Sequence, residues 1–111
     1  MSRYEFSLLQ EVLMEKGAGV LGDLSRYKHQ NGIRERTHPV AVLYSLIWNT
    51  KQDILSAKTK EELDRIEGKF DLANQFLSKL WTVYMPFSLH DLAVFSKQNV
   101  ANVLASEQPD N

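Results

Sequence analysis

Cysteine is absent from this sequence, which excludes disulfide bonds and thiolate metal sites. The absence fits a reducing compartment, although some secreted proteins also lack cysteine. Long apolar runs are missing as well, because charged residues interrupt each run well before the ~18 residues that a membrane span needs. The opening segment, residues 1–6, has no apolar signal-peptide core. We therefore expect a cytoplasmic location.

Recognisable catalytic and phosphate-binding motifs are also lacking, including phosphate loops, dinucleotide fingerprints and nucleophile elbows. His29, His38 and His90 fall in three separate segments, and none has a histidine or carboxylate partner at i+4 spacing, so solvated or capping roles are expected. One acidic cluster flanks an apolar stripe near a helix start, where negative charge is favourable. It contains Glu61, Glu62, Asp64 and Glu67. We predict no metal, no cofactor and no enzymatic activity.

The composition is that of an ordinary globular protein, with 111 residues, 43% hydrophobic and 24% charged. Residues 1–60 carry nine basic and six acidic residues, whereas residues 61–111 carry four and eight. Neither half is charged enough to suggest a nucleic-acid arm or an acidic tail. We predict one helical domain over residues 1–105 and a flexible polar tail over residues 106–111.

Capping signals divide the chain into helices. Three pairs have the spacing of a capping box, and a proline in a fourth segment suits a first helical turn. The signals are Ser2 with Glu5, Thr37-His38-Pro39, Thr59 with Glu62, and Ser88 with Asp91. Asn31-Gly32 should end the first helix and Pro86 the third. The predicted fold is an all-α antiparallel bundle of four to five helices.

The first helix is ambiguous. Phe6, Leu9, Val12 and Leu13 are assigned to one side of it, and glycines then follow at positions 17, 19 and 22. Each glycine costs up to ~1 kcal/mol relative to alanine inside a helix. Either one helix covers residues 3–30, or two helices meet near residues 17–19. A break or kink is the favoured prediction.

The second and third helices each carry two apolar stripes. The main face of the second helix is Val40, Leu43, Tyr44, Ile47, Trp48, Ile54 and Leu55, with Lys51 among them, and its aliphatic stem is expected to pack while its ammonium reaches water. The third helix has a seam with alternating spacings of three and four, formed by Leu63, Ile66, Phe70, Ala73, Leu77, Leu80 and Tyr84. The additional stripes are Val42 and Leu46 on the second helix, and Leu72, Phe76 and Val83 on the third.

These additional stripes allow two interpretations. They belong to the core if the N-terminal segment packs over both, and otherwise they form an exposed apolar surface for a larger protein or a second copy of the chain.

Residues 26–38 form the most informative polar segment. It contains four cationic side chains, Arg26, Lys28, Arg34 and Arg36, around the Asn-Gly turn, with Tyr27 available for stacking. Such a loop suits nucleic-acid phosphates or an acidic protein surface. It is also typical of an ordinary solvated loop, because basic residues are favoured where a helix ends.

The double striping and the missing catalytic motifs favour a small, non-enzymatic protein-interaction module. We predict an adaptor, regulator or inhibitor of a larger protein, with a homodimer as one way to cover its apolar surface. A nucleic-acid-associated accessory protein using residues 26–38 is the alternative. A helical enzyme with an unrecognised site is the third hypothesis.

Overall fold

A computed structural model describes residues 1–81 and 87–105. Within these ranges the chain forms four α-helices and no strand, which confirms the all-α prediction. The helices are α1 (Arg3–Gln30), α2 (Pro39–Ser56), α3 (Lys60–Leu77) and α4 (Lys97–Ala105), with a 3₁₀ turn at Asp91–Val94. The predicted tail, residues 106–111, lies outside the described residues. No described helix is long and apolar enough to cross a membrane.

The helix starts follow the capping signals. Ser2 Oγ accepts a hydrogen bond from the Glu5 amide at 3.1 Å, and Thr59 Oγ1 accepts one from the Glu62 amide at 3.2 Å. His38 caps α2 through Nδ1, which accepts from the Val40 amide at 3.1 Å. Each bond satisfies a donor that the first helical turn leaves unpaired. The capping role expected for a histidine is thus confirmed at His38.

α1 is one continuous helix, which confirms the alternative of a single helix over residues 3–30, so a break near its glycines is wrong. Gly17 allows a close approach of α1 to α3, because a Cβ atom there would lie only 2.9 Å from Phe70 Cζ. Val20, Leu21 and Leu24 follow it as buried residues. Their burial contributes on the order of 1.5–3 kcal/mol each and offsets the low helix propensity of glycine. The helix ends as predicted, with Gly32 at φ 62°.

α1, α2 and α3 pack against one another as an up-down-up bundle. Gln10 bonds to Ile54, and Lys28 lies over Tyr44, so α1 and α2 run antiparallel. The seam predicted for α3 is confirmed at its described positions, where Leu63, Ile66, Phe70, Ala73, Leu77 and Leu80 are all buried. Tyr84 lies outside the described residues.

The core face of α2 differs from the prediction. Val40, Leu43, Ile47 and Ile54 are buried as expected, whereas Trp48 and Leu55 are exposed. The core instead extends around the helix to Val42 and Leu46.

The C-terminal segment, residues 87–105, explains this extension. α4 packs against α2, and Phe87 and Phe95 pack against Phe76 with ring centroids 5.1 and 5.9 Å apart. Ser88 and Asp91 make the predicted reciprocal cap, but it opens only the 3₁₀ turn. α4 begins later, after Ser96. The single fourth helix predicted from the sequence is therefore two short elements.

We call Val42, Leu46, Leu72 and Phe76 the covered stripe. Val42 and Leu46 are 0% and 3% exposed, while Leu72 and Phe76 are half-buried against the core. Val42 and Leu46 are therefore core residues, which corrects their prediction as exposed interface residues, whereas Leu72 and Phe76 stay partly accessible. Val83, the fifth residue of that prediction, lies outside the described residues. α3 itself ends at Leu77, well before Pro86.

Candidate functional site

The first three turns of α1 carry apolar side chains on the face that points away from the bundle. Tyr4, Leu8 and Val12 are 73%, 42% and 56% exposed, and they follow one another at intervals of four residues. This spacing places them one above the other on a helix. We call these three residues the outer stripe. The sequence predicts Val12 on the same side of α1 as Leu13, which is wrong, because Val12 is exposed and Leu13 is buried.

The opposite side of the same turns holds α1 to the bundle. Phe6 and Leu9 are half-buried against the core, and Leu13 is the first fully buried residue of the helix. Gln10 Nε2 donates a hydrogen bond to the Ile54 carbonyl oxygen at 2.9 Å. The outer stripe is therefore presented on a helix that is already folded and anchored, which reduces the entropy lost when a partner binds.

Carboxylates surround the outer stripe. Glu5, Glu11 and Glu15 are exposed on the same turns, and none of them takes part in an ion pair within the described part of the chain. Lys16, on the side of α1 that faces α3, forms an ion pair with Asp71. The surface around Leu8 is consequently apolar at its centre and acidic at its edges.

A second exposed apolar pair lies on α2. Trp48 and Leu55 are 46% and 66% exposed, two turns apart on one face. Lys51 lies between them with its ammonium 5.8 Å from the centre of the Trp48 ring, while its stem passes close to Gly17. The expectation that this lysine packs its stem and reaches outward is confirmed. This face borders α1 at Gly17.

The basic residues predicted from the sequence gather at the other end of the bundle. Arg26, Arg34 and Arg36 are exposed, and Lys28 is half-buried with its ammonium 4.7 Å from the Tyr44 ring centre. Arg26 Nη1 is 3.5 Å from Asp23 Oδ1, an exposed pair of little energetic weight.

Chemically, the arrangement is suited to binding. Within residues 1–81 and 87–105, no three histidine, aspartate or glutamate side chains lie close enough together to hold a metal ion. The outer stripe has the spacing with which an amphipathic helix fills a groove on a partner protein.

Sequence reasoning missed the outer stripe even though a signal for it was present. The interval of four from Tyr4 to Leu8 to Val12 marks a helical face of its own. Val12 precedes Leu13, and placing both on one side hid the second face. For Val42 and Leu46 the sequence left core and interface open, since the segment that packs against α2 is remote in sequence.

Comparison with known proteins gives one positive finding. No curated protein and no solved structure matches the chain significantly. Residues 2–80 match the sequence model of the family described as bacterial epsilon antitoxin. The matched residues comprise α1, α2 and α3 together with the outer stripe, and the match ends before the C-terminal segment. This protein belongs to the bacterial epsilon antitoxin family.

Proposed function

We propose that this protein is an antitoxin that binds a partner toxin protein through the outer stripe of α1 and thereby inhibits it. Family membership supports an inhibitor of another protein, in line with the regulator or inhibitor predicted from the sequence. The observation that carries the choice of surface is the exposure of Tyr4, Leu8 and Val12 on the side of α1 that the bundle does not use.

The energetics favour this surface. Fully burying a leucine or valine side chain contributes about 1.5–3 kcal/mol, and a buried tyrosine adds area together with a hydroxyl that can be hydrogen-bonded. Exposed apolar residues clustered on one face therefore provide affinity to a protein that covers them. Because α1 is already helical and anchored by Phe6 and Gln10, little of this energy is lost in ordering the segment.

The charges around the stripe indicate the chemistry of the partner surface. Glu5, Glu11 and Glu15 would meet a groove whose centre is apolar and whose rim is basic. Complementary charge speeds association and selects the partner, whereas the apolar centre supplies most of the affinity.

The test is to measure binding and growth rescue with a toxin protein from the same organism whose expression alone arrests growth. Leu8→Asp places a charge in the centre of the proposed interface. We expect its dissociation constant to rise by at least ~100-fold, since about 2.7 kcal/mol of binding energy would be lost. Isothermal titration calorimetry gives the affinity, and co-expression shows whether growth is still restored.

Val94→Asp is the matched control, because Val94 is 62% exposed on the C-terminal segment, outside the family match. It introduces the same charge at a comparably exposed valine, and toxin binding should be unchanged. If Leu8→Asp and Val94→Asp both bind as tightly as the original protein, the outer stripe is not the toxin-binding surface. If the unchanged protein neither binds nor protects, the antitoxin function itself is rejected.

A further inference from the structure

The end of the bundle opposite the outer stripe combines exposed cations with aromatic rings. α1 ends there, the 31–38 loop follows, and α2 begins. Residues 26–38 contain Arg26, Lys28, Arg34 and Arg36 against the single acid Glu35. We call this region, together with Tyr27 and Trp81, the basic end. It has no part in the proposed toxin-binding surface.

Trp81 is the most unusual residue of the basic end. Its side chain is 60% exposed, and its ring centroid lies 5.0 Å from that of Tyr27 at an interplanar angle of 73°. Tyr27 is half-buried against the core, so it holds the indole in place from one side. A large aromatic ring that is positioned yet mostly open to solvent provides a surface on which another flat ring can stack.

Cations lie close to Tyr27 along the chain, at the end of α1 and in the loop that follows it. Lys28 directly follows Tyr27 in the last turns of α1, and its ammonium points toward Tyr44 on α2. Arg34 lies in the loop just after Gly32, whose φ of 62° turns the chain back toward α2. Phosphates placed along this edge would meet positive charge while a base contacts Trp81.

We propose that the basic end binds single-stranded nucleic acid, with a base stacked on Trp81 and neighbouring phosphates against Lys28 and Arg34. An acidic protein surface would use the cations but would leave the exposed indole without a flat partner. The structure disfavours recognition of double-stranded DNA by a helix in the major groove. α2, which follows the loop, buries Val40 and Leu43 and does not present the exposed basic face of a recognition helix. The combination of open aromatic ring and surrounding cations is the one that single strands use.

The experiment uses the fact that the chain contains two tryptophans. Trp48→Phe leaves Trp81 as the only indole fluorophore in the full-length protein. Oligonucleotides of about twelve nucleotides, within the site sizes known for single-strand-binding modules, are titrated as oligothymidylate and oligouridylate to compare DNA with RNA. We expect fluorescence quenching by at least one of them. Between about 50 and 200 mM salt the dissociation constant should rise roughly 7- to 18-fold, as neutralising two to three phosphates of a single strand implies.

Variants assign the contacts. Trp81→Ala, followed by the anisotropy of a labelled oligonucleotide, should weaken binding about tenfold or more through loss of stacking. Lys28→Ala with Arg34→Ala should weaken binding and flatten the salt dependence. Lys58→Ala with Lys60→Ala removes the same charge between α2 and α3, at the opposite end, and should change neither. Leu8→Asp should bind the oligonucleotide normally, which separates this proposal from toxin binding.

Three outcomes would overturn the proposal. One is the absence of quenching and anisotropy change with both oligonucleotides at low salt. Another is equal weakening by the Lys58/Lys60 control, which would show diffuse attraction to charge. The third is binding of poly-glutamate that is as tight as oligonucleotide binding and is unchanged in Trp81→Ala. This result would assign the basic end to acidic proteins.

Discussion

The covered stripe on α2 and α3 and the outer stripe on α1 are similar in composition but lie in different surroundings. Phe76 contacts Phe87 and Phe95, and Val42 is completely buried. Tyr4 and Val12 remain mostly exposed, although their helix is packed along its other side. An apolar stripe in a sequence therefore indicates that something covers it, and only the fold shows whether the cover is the chain itself.

The family match sharpens this contrast. It includes both stripes but ends at residue 80, before Phe87 and Phe95, which pack against Phe76 of the covered stripe. The outer stripe has no such cover among the described residues. The covered stripe should thus govern folding stability, and the outer stripe should govern association.

The largest effect is expected in the covered stripe. Leu46→Asp would place a charge at a residue that is 3% exposed. The lost burial and the desolvated carboxylate should together cost at least about 4 kcal/mol and leave the chain largely unfolded. Urea melts followed by circular dichroism measure the loss, with Val94→Asp as the exposed control. A folded Leu46→Asp protein would mean that this side of the bundle is open.

The cover itself can be weakened at Phe95, which is 7% exposed and packs on Phe76. Phe95→Ala should lower the free energy of unfolding by about 3–5 kcal/mol, the usual cost of truncating a buried phenylalanine. Thermal and urea melts provide the measurement. A change below about 1 kcal/mol would show that the C-terminal segment contributes little to covering the stripe.

α1 also has a packed face and an exposed face, with Gly17 on the first and Gly19 on the second. Gly17→Ala would force a Cβ atom against Phe70 and should destabilise the protein by about 1–3 kcal/mol. Gly19→Ala is the matched control, because no atom lies within 4 Å of its Cβ position, and it should stabilise the helix by about 0.5–1 kcal/mol. Equal effects at the two sites in urea melts would contradict the close approach of α1 to Phe70.

The smallest change in stability belongs to the outer stripe. Leu8→Asp should alter the free energy of unfolding by no more than about 0.5 kcal/mol, since the side chain is exposed and an acid suits the first turns of a helix. Chemical denaturation checks this before any binding experiment. Unfolding of Leu8→Asp would place Leu8 in the core and would remove the basis of the proposed toxin-binding surface.

Much of the fold could be predicted from local signals. Ser2, His38 and Thr59 cap helices as their sequence contexts indicate, and the alternating spacing from Leu63 to Leu80 defines the buried seam. Such features depend on neighbours in the sequence, so spacing alone reveals them.

Several of the errors involve contacts between distant residues. Gly17 reads as a helix breaker until Phe70 is known to lie against it. Val42 reads as surface until the C-terminal segment is placed over it. The basic residues of the 26–38 loop were identified from sequence, but the position of Trp81 beside Tyr27 depends on the packing of α1 with α3.

The continuity of α1 also fixes how far apart two ligands would sit. Leu8 and Lys28 belong to a single uninterrupted rod, and twenty residues of helix span about 30 Å, close to the diameter of a small domain. A ligand bound at the Leu8 end of α1 therefore need not displace a ligand bound at the Lys28 end. A ternary assembly, with this protein as the rigid spacer between toxin and nucleic acid, is sterically feasible.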